Sequence, residues 1–170
     1  IGSFAQMNPP IREKYHQKEL WLGLKDGTID CIATDHAPHT LEEKKLPYGQ
    51  APSGMPGVET SLTLMLNEVS NKRITIEQVV KWMCESPTKV YNIQNKGFLK
   101  VGYDADIAIV DMNKEKILSG SNMQSKCGWT AFEGTKTTGH PIITIVNGNI
   151  VYKDGKIIDN FKGKPVKFNE

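Results

Sequence analysis

The apolar residues of this chain change period once, near Asn95-Lys96-Gly97. Before that point they recur at helical spacing, and after it they alternate. A single chain with both patterns is constrained to an α/β first part and a small antiparallel sheet after it. The change predicts a division into residues 1–96 and 97–170.

Within the first part, Tyr15 to Lys25 carries Leu20, Trp21 and Leu24 at helical spacing, and Asp26-Gly27 stops it. Glu59 to Ser70 puts Leu62, Met65, Leu66 and Val69 on one face. Thr75-Ile76-Glu77-Gln78 has the form of a capping box, and the helix it opens points Val79, Val80 and Met83 inward. Ser86-Pro87 reads as a further helix start. Two stretches, Ile1 to Met7 and Ile29 to Thr34, read as buried strands. The first is cut off by Pro9-Pro10. Residues 36–58 hold Pro38, Pro47, Gly49, Pro52, Gly54, Pro56 and Gly57, and a loop that long in a compact domain is often an active-site loop.

After Gly97, Ala105 to Val110 reads as a strand. Ile142–Val146, Ile150–Lys153 and Lys156–Ile158 read as a meander, joined at Asn147-Gly148 and Asp154-Gly155. Both dipeptides tolerate the positive φ that two-residue hairpin turns need. Residues 112–140 carry little signal, with Ser119 to Gly128 a polar loop and His140 a turn residue before the meander.

Composition excludes more than it proposes. Of the 170 residues, 38% are hydrophobic and 24% charged, which suits a soluble globular chain. A net charge of +2 without a basic, aromatic-interleaved stripe argues against nucleic acid as a partner. Lys153, Lys156, Lys162, Lys164 and Lys167 read as a solvated tail. No apolar run approaches the roughly 18 residues of a membrane span. Three scattered cysteines with no C-x-x-C point to a reducing compartment. The first residue is Ile1, not Met, so a fragment or a processed polypeptide is expected.

The chemistry concentrates at Cys31-Ile32-Ala33-Thr34-Asp35-His36-Ala37-Pro38-His39. In parallel α/β folds the active site lies beyond the carboxyl ends of the strands, and Asp35 and Asn8 both follow apolar stretches. An aspartate there can ligate a metal or accept a proton. His36 and His39 are open to roles as ligands, acid/base groups or donors to substrate. Pro38 keeps the segment from forming a helical H-E-x-x-H site.

Four stretches, in order, resemble the dihydroorotase family of the amidohydrolase superfamily. They are Met7-Asn8-Pro9-Pro10-Ile11-Arg12, Asp35-His36-Ala37-Pro38-His39, Ala51-Pro52-Ser53-Gly54-Met55-Pro56-Gly57-Val58-Glu59-Thr60, and Gly102-Tyr103-Asp104-Ala105-Asp106-Ile107 with Val146-Asn147-Gly148. The resemblance implies that 1–96 are the last strands and helices of a TIM-like (β/α)8 barrel. It makes 97–170 part of a flanking β-sandwich. It implies a cytoplasmic zinc hydrolase of pyrimidine biosynthesis that interconverts L-dihydroorotate and N-carbamoyl-L-aspartate. Two zinc ions are expected per complete site, most of their ligands outside this chain, which lacks the family's H-x-H pair. A full barrel takes about 250 residues, so this chain alone is expected to be inactive.

Carried over by motif, Asp35 is the metal-contacting general base. Asn8 and His39 bind the substrate carboxylate, and Ser53 and Gly54 approach the ring. His36 is expected to be a hydrogen-bonded strut, Glu59 an N-terminal helix carboxylate, and Met55 and Met65 core. A homodimer or association with aspartate transcarbamoylase is possible in such a family. The alternatives are a hydantoinase or allantoinase, or a non-catalytic dihydroorotase-like partner of aspartate transcarbamoylase.

Overall fold

A computed structural model describes residues 2–158 and 161–169. Helix α1 spans Lys14–Asp26 and ends where Gly27 turns left-handed at φ 90° and returns its N–H to the Gly23 carbonyl. A short α2 (Leu41–Lys44) follows, then α3 (Ser61–Ser70). Next comes α4 (Ile76–Val80), which the expected Thr75–Gln78 capping box opens. Leu24, Met65, Ile74, Val79 and Trp82 form the core of this part, with Trp21, Ile29, Ile32, Leu62, Val69 and Met83 packed against it. Val80, expected inward, is 42% exposed, whereas Trp82 is 1% exposed. Residues 79, 82 and 83 share one helical face, and 80 falls off its edge.

The expected short helix does begin at Ser86, with Pro87 in its first turn, but no side chain caps it. A π turn, Lys81–Glu85, carries α4 directly into α5 (Ser86–Val90), and the Ser86 N–H reaches back to the Lys81 carbonyl. Continuing that spacing would pair the next residue with Trp82, but it is Pro87, which has no N–H. The freed Trp82 carbonyl accepts instead from Ile32 N, at 3.1 Å. A proline in one helix thereby anchors the segment that leads to Asp35.

That segment is not a strand. Ile29 to Thr34 is extended but makes no ladder with any described residue, and its sole bridge beyond the apolar run is His36 to Met55, parallel. An extended apolar run becomes a parallel strand only when neighbours in register supply its hydrogen bonds, and the described residues hold none. Residues Gly2–Ala5 likewise form a 3-10 turn, not the expected strand, with Ile1 outside the described residues.

The second part is a four-stranded antiparallel sheet in the order β1-β2-β3-β4, made by Ile107–Ile117, Lys136–Val146, Asn149–Lys153 and Lys156–Ile157. Both expected turns form, with positive φ at Asn147 and Gly148 (47° and 81°) and at Asp154 and Gly155 (47° and 89°). Strands β1 and β2 run further into residues 112–140 than alternation indicated, because bulges at Ile109/Val110 and Asp111/Glu115 break the pattern.

Asp106 accepts from Asn147 N at 2.7 Å and pairs with Lys96, so the D-A-D and V-N-G stretches are one contact. The exposed C-terminal lysines stay in solvent, while Lys167 and Asn169 pair through the backbone with 92–94.

Helix α3 packs on β2. A Cβ on Gly139 would lie 2.7 Å from Leu66 Cβ, which sets how closely the two elements approach. His140 is therefore no turn residue. It sits within β2, 4% exposed, with Nδ1 3.3 Å from Thr63 Oγ1 and Nε2 3.1 Å from Thr137 Oγ1. Burial pushes its imidazole below the usual range, offset in part by the Thr137 backbone and aided by Lys116 and Lys114. Cys31, Cys84 and Cys127 are all free thiols. Among the described residues no helix is long and apolar enough to cross a membrane.

Candidate active site

Asp35 is exposed and takes a left-handed backbone, φ 41°, which an aspartate tolerates better than most residues. Its carboxylate has no hydrogen-bond partner among the described residues and is open to a ligand. The next residue is fixed. His36 Nδ1 accepts from Gly57 N at 3.1 Å and from Val58 N at 3.4 Å. Two backbone donors on Nδ1 leave the ring proton at Nε2, so His36 is the expected strut between the Asp35 turn and the 51–60 loop.

His39 Nε2 lies 3.0 Å from the Ser53 carbonyl and donates to it. Its other nitrogen, Nδ1, is 3.8 Å from Glu43 Oε2, too far for a hydrogen bond. Nδ1 is thus the nitrogen left for an anionic ligand, to which it donates only as imidazolium. Gly54 is required where it stands. At φ 129°, a Cβ would come within 2.7 Å of Ala37 Cβ and 3.3 Å of the His39 ring. His39, Ser53 and Gly54 therefore meet in one place, with His39 four residues beyond Asp35. Asn8 is exposed and makes no direct bond to them, but Gly54 N donates to the carbonyl of Gln6, two residues before it, at 2.9 Å.

Three residues that composition and spacing passed over hold this arrangement. The Gln6 side chain donates to Ala51 O at 2.7 Å and accepts from Gly49 N at 3.3 Å. Lys44 is fully buried, with its ammonium on the carbonyls of Pro52 and Gly54. Trp129 Nε1 donates to the His39 carbonyl at 2.7 Å. Glu59, at the start of α3 as expected, binds across the molecule: its two oxygens accept from Gln124 N and Ser125 N, each at 2.8 Å, tying the 119–128 loop to α3. A signal existed for α2, since Thr40-Leu41-Glu42-Glu43 repeats the T-x-x-E capping form and makes both of its bonds. Thr40 N holds the Glu43 carboxyl below the usual range.

A groove of about 990 Å³ lies elsewhere, between α3 and the sheet. Glu59, Thr63, His140 and Tyr152 line it, and none of Asn8, Asp35, His39, Ser53 or Gly54 does.

A structural zinc centre takes four protein ligands and a catalytic one at least three. Among the described residues no three His, Cys, Asp or Glu side chains are grouped to hold a metal. Asp35 offers one free carboxylate and His36 Nδ1 is already engaged, so these residues do not make a metal site as a set.

Residues 13–151 match the amidohydrolase family. The chain is 39% identical to a dihydroorotase of Halobacterium salinarum over 98% of its own length and 39% of that relative's. It is 42% identical to a dihydroorotase of Methanosphaera stadtmanae, over 92% of the chain and 36% of the relative. Among solved structures, the L-hydantoinase (dihydropyrimidinase) of Arthrobacter aurescens matches with a TM-score of 0.85 at 35% identity, covering 92% of this chain and 36% of that one. The chain thus spans well under half the length of these relatives. With the matched region covering most of its residues, the chain belongs to the amidohydrolase family.

Proposed function

We propose that the protein carrying this chain is a dihydroorotase, which hydrolyses the cyclic amide of L-dihydroorotate to N-carbamoyl-L-aspartate, and the reverse. The observation that carries the reading is the meeting of His39, Ser53 and Gly54, with the Asp35 carboxylate unengaged four residues before His39. In ring opening, water oxygen bonds to the amide carbonyl carbon and the ring C–N bond breaks. Asp35 accepts the proton from the attacking water and returns it to the leaving nitrogen. His39, through Nδ1, and Asn8 bind the substrate carboxylate, and Ser53 and Gly54 border the ring.

Zinc is part of this reading, with Asp35 as one ligand. The other ligands come from the part of the relatives that this chain does not span. Residues 1–96 are then the closing strands and helices of a barrel, and 97–170 part of its flanking sandwich. The same reading places the protein in the cytoplasm. It also carries a homodimer or a complex with aspartate transcarbamoylase, which gel filtration with and without that enzyme tests.

A hydantoinase is the second reading, favoured by the solved structure of lower identity. The two separate on substrate. The full-length polypeptide is expected to open dihydroorotate in preference to hydantoin, and the reverse preference sinks the first reading. Asp35→Asn is expected to lower kcat/KM for dihydroorotate by about 10² to 10⁴ with the fold intact. A loss of less than twofold would remove Asp35 as the base.

A further inference from the structure

A lysine is the last residue expected at zero exposure, and Lys44 is 0% exposed. Its ammonium has three donors and meets three acceptors, all backbone carbonyls. Pro52 O is at 2.9 Å, Gly54 O at 3.0 Å and Gln6 O at 3.5 Å. No carboxylate pairs with it. The Trp129 ring lies over it, 5.8 Å to the centroid, and the Ser3 hydroxyl donates to the carbonyl of Lys44 itself. Burial lowers its affinity for a proton, and the three carbonyls act against that by binding the charged form.

The placement has a consequence for the loop it holds. In a trans peptide the C=O and N–H point in opposite directions, and the only cis peptide among the described residues is Asn8–Pro9. With the Pro52 carbonyl drawn onto Lys44, the N–H of the same peptide, that of Ser53, faces away from the ammonium. Its neighbours are engaged: Ser53 O accepts from His39 Nε2, and Gly54 N donates to Gln6 O. The Ser53 N–H has no partner among the described residues, and Ser53 is exposed. Its own residue's carbonyl is bound by His39, whose Nδ1 makes no hydrogen bond among the described residues.

We propose that Lys44 is the positioning residue of the substrate-carboxylate subsite. It holds the Pro52 and Gly54 carbonyls so that the Ser53 N–H projects as a fixed donor next to His39. The ammonium at the carbonyl end polarises the same peptide, which strengthens the N–H as a donor to an anion. Lys44 does not touch substrate. This role rests on the dihydroorotase reading, because it needs a substrate with a carboxylate.

The test uses the full-length polypeptide, Lys44→Met, and ¹⁵N-serine labelling. Lys44→Met is expected to raise KM for dihydroorotate about ten- to a hundredfold, the loss of one hydrogen bond to a charged group, with kcat little changed. In the wild type, N-carbamoyl-L-aspartate is expected to shift the Ser53 amide more than any other serine amide. If the variant does not fold, that wild-type shift decides by itself, and an unmoved Ser53 amide overturns the proposal. A folded variant whose KM stays within twofold, or whose kcat and KM degrade together with its melting temperature, overturns the role of Lys44 while leaving the function in place. A wild type that neither binds nor opens dihydroorotate overturns the function, and the proposal with it.

Discussion

The loop region from Ile29 to Thr60 and the strands between Ile107 and Ile157 are held in opposite ways. The sheet is held by its own ladders, each strand paired with the next in sequence, with two-residue turns joining β2 to β3 and β3 to β4. The loop region has one isolated bridge and scattered backbone bonds such as Ile32 N to Trp82 O, and side chains hold further backbone groups: Lys44, Gln6, His36 and Trp129. A ladder spreads its stability over many equivalent bonds, whereas a side-chain clamp concentrates it in few groups. Asn8 apart, the candidate chemistry sits in the clamped region.

The comparison breaks most severely at the core beneath the loop. Trp82→Ala removes a side chain 1% exposed that also lies next to the Pro87-freed carbonyl bond to Ile32. It is expected to cost about 3–5 kcal/mol in urea unfolding, and to raise hydrogen exchange at Ile32 before any residue of β3. Faster exchange in β3 first would mean that the sheet depends on this core as much as the loop does.

Two glycines sharpen the contrast with smaller changes. Gly54→Ala meets Ala37 at 2.7 Å and is expected to cost about 1–3 kcal/mol, together with most of the affinity for dihydroorotate. Gly148→Ala meets open space at φ 81° and is expected to cost about 1–2 kcal/mol with affinity unchanged. Equal effects of the two on binding, read by isothermal titration, would erase the distinction between ladder and clamp.

The smallest effect is a pH dependence at His140, where the two regions meet through α3 and β2. Its folded-state pKa is depressed, so the unfolded chain takes up a proton first as pH falls below about 6.5. Stability is full above that value and is lost as pH drops toward the folded-state pKa, by at most about 1.4 kcal/mol per pH unit. Urea unfolding of the wild type and His140→Gln across this window is expected to show the slope in the wild type alone. The same slope in both would assign it to other groups.

Much of the sheet was legible beforehand. Asn147-Gly148 and Asp154-Gly155 state their turns because positive φ is a property of the residues themselves. The Thr75 capping box and the Gly27 stop are legible for the same reason, since their partners lie within four residues. The positions of Asp35 and His39 were marked by motif, and the strut role of His36 by its neighbour. The clamp was not legible. Nothing local distinguishes Lys44 from the other lysines, and its acceptors lie 8, 10 and 38 residues away.

The sequence by itself determined the helices, the hairpin turns and the residue types available for chemistry, because those follow from φ preferences, capping and period. Tertiary structure alone decided that the Trp82 carbonyl freed at Pro87 is taken by the Ile32 N–H. It alone decided that His140 is buried and that a lysine turns an amide toward the candidate site. Each of these is set by a partner remote in sequence, and a hydrogen bond or a burial exists only when both partners are in place.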